Sequence, residues 1–193
     1  MGFRNMTKAW WPAGVLLALA ASLSPAHARD CATIGTTELV DSVRYCVDSV
    51  LEPQSGNWYG ADNLIDGAGD TAWCEGVNGP GLGQRIVISI RGGAPFDRIM
   101  LWNGYQKSRT AFTRNGRPSA LRVETDLGEN ITFQLPDKLG EVVLGLNRMA
   151  VRSEVVLTIE DIYRGSHYAD TCISDVFIDF ESGRNFPMNG GNN

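Results

Sequence analysis

The sequence predicts an all-β protein, an antiparallel β-sandwich of jelly-roll type, and three observations carry that prediction. Short apolar runs recur with a two-residue period, so each offers one buried face. Glycine, asparagine, proline and aspartate pairs punctuate the gaps between them. No segment keeps a helical period over ten or more residues. Open sandwiches of seven or eight short strands fit this pattern better than a closed barrel.

The elements follow in chain order. Arg4 and Lys8 precede the apolar run "AGVLLALAASL" and the small-residue site Ala26-His27-Ala28, which together match an export signal with cleavage after Ala28. The apolar run is shorter than the ~20 residues a membrane span needs. A periplasmic or secreted protein without membrane insertion is expected. Residues 29–54 are read as a Cys-bounded N-terminal arm, residues 55–182 as the main domain, and residues 183–193, Asn/Gly-rich, as a disordered tail.

Within the main domain, "QRIVISI" alternates Ile86, Ile88 and Ile90; "LRVET" sets Leu121 and Val123 on one face, and "ITFQL" does the same with Ile131, Phe133 and Leu135. The runs "DRIMLW", "EVVLGL", "EVVLTI" and "DVFIDF" complete the set. Turns are expected at Gly92-Gly93, Asn103-Gly104, Asn115-Gly116, Leu127-Gly128 and Pro136-Asp137.

Charge narrows the partners. The net charge is −5, and loss of residues 1–28, which carry Arg4 and Lys8 and no acid, takes it to −7. Nucleic acid and anionic membrane surfaces need clustered cations, so both are set aside. The four cysteines, Cys31, Cys46, Cys74 and Cys172, allow three disulfide connectivities in an exported chain. Cys31 with Cys46 and Cys74 with Cys172 is preferred, because the first pair closes a local loop and leaves the second to bridge the domain.

Catalytic machinery is sparse. Past the signal His167 is the sole histidine, in the polar loop "RGSHYAD", and reads as a solvated side chain. No nucleophile elbow, phosphate loop or H-E-x-x-H is present. A two-carboxylate glycoside hydrolase on Asp70 with Glu75 or Asp170 is the one enzymatic alternative.

The stretch "YGADNLIDGAGDTAWCEG" has two readings. Gly67 and Gly69 permit tight reversal, so Asp66 and Asp70 can be turn formers. Alternatively Asp66, Asp70 and Thr71 supply hard oxygen ligands to Ca²⁺. Trp73, beside a half-cystine, is expected to pack over the bridge. Trp58, Tyr59, Trp102, Tyr105, Tyr163 and Tyr168 fall near strand ends, where rings can stack on sugars or complete the core rim.

Four blocks in register, "NLIDGAGDTAWCEGVNGPGLGQRIVI", "LWNGYQKS", "NGRPSALRV" and "LTIEDIYRGSHYADTCISDVFI", carry a resemblance over roughly residues 55 to 180. The chain resembles the NADase-type glycan-binding domain. This is a discoidin-like, coagulation factor five/eight type C-like member of the galactose-binding-domain-like superfamily, also found ahead of the enzyme in streptococcal NAD glycohydrolase toxins. The resemblance implies an eight-stranded jelly roll without catalysis, used for glycan or surface attachment. It brings Cys172 towards Cys74, and Asp175 towards the Asp66–Thr71 loop to complete a structural Ca²⁺ site. Asp175 is shorter than the glutamate usual there. The toxin's enzymatic domain has no counterpart, and its activity does not carry over.

The leading expectation is therefore a carbohydrate-binding domain using Tyr105, Lys107, Asn115 and Arg117 from "NGYQKSRTAFTRNGR". A structural alternative stands beside it for this segment, with Asn103-Gly104 and Asn115-Gly116 as hairpin turns and Arg117 held by a carboxylate. A second class is an envelope protein-interaction domain with the same sandwich and no sugar site.

Overall fold

The computed structural model describes residues 29–185, together with Gly2. The expected signal, residues 1–28, lies outside the described residues but for Gly2. Ten strands run as β1 (Asp30–Ile34), β2 (Ser42–Val47), β3 (Trp73–Cys74), β4 (Arg85–Arg91), β5 (Phe96–Asn103), β6 (Arg117–Thr125), β7 (Asn130–Gln134), β8 (Glu141–Ala150), β9 (Glu154–Tyr163) and β10 (Cys172–Ile178). One short helix, α1 (Arg109–Arg114), lies between β5 and β6. A six-stranded sheet has the order β1-β2-β4-β9-β6-β7 and packs on a four-stranded sheet of order β3-β10-β5-β8. Every pairing within them is antiparallel.

The alternation that predicts the strands also explains the core. In β4, Ile86, Ile88 and Ile90 are buried while Arg85, Ser89 and Arg91 face water. Leu121 and Val123 of β6 and Val155, Leu157 and Ile159 of β9 join them from the large sheet, opposite Ile99, Leu101 and Leu144 of the small one. Burial of an aliphatic side chain of this kind is worth about 1.5 to 3 kcal/mol.

The structure departs from expectation at both ends of the domain. The segment read as an arm supplies two strands of the large sheet, with β2 in register against β4 from Ser42↔Arg91 to Val47↔Ile86. Val43, Tyr45 and Val47 enter the core from it. Gly183, first residue of the expected disordered tail, is buried in a short 3-10 helix (Phe180–Gly183), so close to the Pro95 carbonyl that a Cβ there would collide with it. Residues 186–193 lie outside the described residues.

Both preferred disulfides form. Cys31–Cys46 joins β1 to β2, and Cys74–Cys172 joins β3 to β10, each between residues directly opposite in the register. Trp73 is core, as expected, but it does not cover the bridge. It turns into the main core while its neighbour Cys74 turns away, as successive strand residues must. Cys74 and Cys172 pack instead with Tyr59, Ala72 and Tyr105, next to Leu51 and Ala111, in a second cluster.

Beyond Asn103 the chain does not make the expected hairpin. Gly104 has φ 80°, and a Cβ there would come within 2.9 Å of the Phe112 ring, so glycine is required twice over. Ser108 then caps α1, its hydroxyl accepting from the Ala111 N–H at 3.0 Å. Asn115 ends the helix, with its side-chain amide donating to the Ala111 carbonyl at 2.8 Å. Asn115-Gly116 is thus a helix exit rather than a hairpin turn.

Candidate functional site

A pocket of about 320 Å³ opens over the second cluster. Tyr59, Tyr105 and Tyr168 give it aromatic walls, with Leu51 and Ala111 between them. Gln54, Asn57, Asn115, Lys107, Arg114 and Asp170 bring polar groups to its lining. Burial raises the Tyr59 and Tyr105 phenols above their usual range, so both remain protonated at neutral pH.

Three of the four expected ligand-binding residues therefore meet in one place: Tyr105, Lys107 and Asn115. Arg117 does not join them. Its guanidinium, only 6% exposed at the residue level, forks onto Asp137 with Nε and Nη2 both at 2.6 Å. Nη1 donates to the carbonyls of Phe112 and Asn115, each at 3.3 Å, and the group lies 4.5 Å from the Phe112 ring centroid. Arg117 fixes the end of α1, with four of its five N–H donors engaged by Asp137 and the two carbonyls. Arg114, three residues earlier, lies over the Tyr168 ring at 5.2 Å and donates to its hydroxyl at 3.2 Å.

Tyr168 and Asp170 were visible in the sequence only as an aromatic near a strand end and as a conditional acid. Their place in the pocket depends on β10 returning beside β3, which brings the 164–170 loop next to α1. Gly165 sits against the Arg114 carbonyl, and the Tyr168 and His167 N–H groups both donate to it. His167 is exposed, as expected, with its ring 4.6 Å from Tyr168. Trp58 and Trp102 lie outside the pocket lining; the Trp58 indole N–H donates to Asp62 and Trp102 meets Phe177 edge to face.

The Asp66–Thr71 loop closes on itself. Asp66 accepts from the Ala68 N–H at 2.8 Å and from the Thr71 hydroxyl at 2.7 Å. Ile173 and Val176 of β10, three apart, both enter the core, which breaks the two-residue alternation between them. That break serves the loop: the Ser174 hydroxyl donates to the Thr71 carbonyl at 2.8 Å, and Asp175 accepts from the Gly67 N–H at 3.1 Å. Asp70 contributes its carbonyl, which accepts from the Tyr105 hydroxyl at 3.2 Å. The turn thus anchors a wall of the pocket.

The expected metal set is not assembled as a whole. Among the described residues no three His, Cys, Asp or Glu side chains group to hold an ion. Asp66 and Asp175 are brought together beside Thr71, without the Asp70 carboxylate. Burial, and after it the neighbouring Asp66 charge, push Asp175 up to about 6 despite the Gly67 N–H. Each of the two carboxylates accepts from the turn itself, Asp66 from the Ala68 N–H and the Thr71 hydroxyl and Asp175 from the Gly67 N–H.

Glu75 lies behind the pocket, fully buried. Its oxygens accept from the N–H groups of Thr171 (3.1 Å) and Val77 (2.9 Å). Burial raises its pKa, those two N–H groups lower it, and the Asp170 charge raises it further.

A two-sheet antiparallel sandwich with its pocket at the loop-bearing end defines the chain as a discoidin-like, galactose-binding-type fold. Residues 36–179 match the family model described as NAD glycohydrolase translocation F5/8 type C domain, and the chain belongs to that family. Among solved structures it is similar to CpGH89CBM32-5 of Clostridium perfringens, solved with GalNAc-beta-1,3-galactose, at 17% identity and TM-score 0.53. The match covers 70% of this chain and 94% of that one. It is also similar to the family 32 carbohydrate-binding module of C. perfringens NanJ, solved with galactose (15% identity, TM-score 0.51, 70% and 92% covered). A third is the family 32 module of Streptococcus pneumoniae EndoD (10% identity, TM-score 0.51, 69% and 94% covered). At these identities the likeness is one of fold. By sequence, no curated protein matches the chain.

Proposed function

We propose that the protein is an exported, non-catalytic carbohydrate-binding domain that takes a glycan in the pocket walled by Tyr59, Tyr105 and Tyr168. The observation that carries this reading is the lining itself. Aromatic faces suited to the apolar side of a sugar ring alternate with amide, cationic and carboxylate groups suited to its hydroxyls. Solved structures of similar fold in complex with galactose and GalNAc-beta-1,3-galactose support it.

The absence of catalysis is supported by the carboxylates. Asp170 lines the pocket, while Glu75 is buried with both oxygens engaged and Asp70 stands outside the lining. A glycosidase of the two-carboxylate kind needs both groups facing one bond. A Ca²⁺ ion held by Asp66 and Asp175 belongs to the same proposal, as a structural brace on the turn that anchors Tyr105.

A glycan array probed with residues 29–185 is the test, run beside Tyr168→Ala. Retained glycans that the variant loses, with no turnover of any of them, are the expected result. A blank array together with one stoichiometric partner captured from the envelope would replace this reading with the protein-interaction one.

A further inference from the structure

Resting on the glycan-binding reading, we propose that the ligand is an anionic glycan that crosses the Tyr168 ring, its acidic groups met by Lys107 and Arg114 on one side and Arg164 on the other. A second depression, of about 380 Å³, is lined by Gly79, Pro80, Ile162, Arg164, His167 and neighbouring loop residues. It shares one lining residue with the first pocket, Tyr168. Each volume is at the small end for a ligand site, so one sugar unit or two fit on each side. Tyr168 is 41% exposed and stands as the ridge between them, held by Arg114 over its face and by the His167 ring against it.

Lys107, Arg114 and Arg164 form no ion pair among the described residues, whereas Arg85, Arg117, Arg122 and Arg152 each meet a carboxylate. Arg44, Arg91, Arg109, Lys138 and Arg148 also form no ion pair among the described residues, but only Lys107, Arg114 and Arg164 of these unpaired cations line the two depressions. Between Asp97 and Glu124 the sequence has no acidic residue, although the whole chain is at −5. Asp170 is the one carboxylate in either lining. Three cations against one anion therefore flank a track with a sugar-stacking ring at its centre. The net negative charge of the chain disfavours densely charged nucleic acid, which needs an extended run of clustered cations. Acidic groups spaced by whole sugar units suit the local patch better.

The test is a panel of tetrasaccharides in matched pairs: uronic acid chains with their methyl esters, sialylated chains with their desialylated forms, sulfated chains with their desulfated forms. Binding is measured by calorimetry at low and moderate salt, with single-stranded DNA as a further arm. The acidic member of at least one pair is expected to bind about tenfold more tightly than its neutral twin, with the advantage shrinking as salt rises. Arg164→Ala, outside the first pocket, should erase most of that advantage and leave the weaker neutral binding unchanged, and Lys107→Ala should erase the advantage and weaken the neutral member as well. Equal binding of both members of every pair overturns this inference while the glycan reading stands. No binding anywhere in the panel or the wider array overturns both. An Arg164→Ala protein that binds acidic chains normally confines the ligand to the first pocket and overturns the crossing. DNA binding that competes with the glycans overturns the choice of ligand class.

Discussion

The Asp66–Thr71 turn and the pocket beside it are linked by the Tyr105 hydroxyl, yet their polar groups are in opposite states. In the turn, the Asp66 carboxylate, the Thr71 hydroxyl and the carbonyls of Ala68, Asp70 and Thr71 all have protein partners. In the pocket, the Lys107 ammonium and the Asp170 carboxylate have none among the described residues. Two stretches equally rich in polar residues therefore do different work. The first fixes the backbone, and in the second the Lys107 and Asp170 groups are left to meet a glycan. Arg117 and Arg114 repeat the contrast three residues apart.

The largest effect that can break this comparison is at Arg117. Arg117→Ala strands the half-exposed Asp137 and frees the end of α1, and should cost about 2 to 3 kcal/mol by urea denaturation. Arg117→Lys should recover part of it, because one ammonium cannot reproduce the fork. A loss below about 0.5 kcal/mol would place Arg117 with the free cations instead.

Calcium is the next lever. With the protein first stripped by chelator, Ca²⁺ at a hundredfold excess over its Kd should add about 2.7 kcal/mol, read as a rise in melting temperature. Asp175→Asn should erase that rise, and Asp70→Ala should leave it in place because the Asp70 carboxylate stands apart. A response lost in Asp70→Ala but kept in Asp175→Asn would reverse the ligand assignment.

Glu75 sharpens the comparison through pH. Its folded pKa is raised, so the folded state keeps this proton longer than the unfolded chain, whose value is near 4.5. Stability from this group is thus full below about pH 4.5 and is lost as pH rises through the folded value. Glu75→Gln should flatten that slope. The variant should be about 1 kcal/mol less stable in acid, where an amide cannot accept from both N–H groups, and closer to the parent at neutral pH. Parallel pH profiles for the two proteins would remove Glu75 as the source. Smallest of all, Arg114→Ala should change stability by less than about 0.5 kcal/mol while weakening glycan binding.

Most of the sandwich is legible in the sequence, because alternation states burial directly. Each of the seven runs read as strands falls on one of β4 to β10, though "DVFIDF" runs past the end of β10 into the 3-10 helix at Phe180. What escapes has a physical reason in each case. β2 alternates Val43, Tyr45 and Val47 clearly, but two nearby cysteines favour a local loop over a sheet edge, and both are true at once. β3 has two residues and no period to detect. α1 has six, too few for an amphipathic face to declare itself. The site is less legible than the fold. That Arg117 rather than Arg114 meets Asp137 depends on where the β7–β8 connection passes, and local sequence carries no trace of it.

The two disulfides have a consequence for biosynthesis. Cys31 and Cys46 are 15 residues apart and leave the ribosome almost together, whereas Cys74 waits 98 residues for Cys172. Closing the longer loop is less favourable by about 1.7 kcal/mol on length alone. Throughout that delay Cys74 is a nascent thiol whose nearest rival partner is Cys46, 28 positions upstream. Early closure of the β1–β2 bridge takes that rival out of circulation. Loop length alone thus favours closing the β1–β2 bridge first, which leaves Cys172 as the one partner for Cys74 in the bridge at the floor of the pocket.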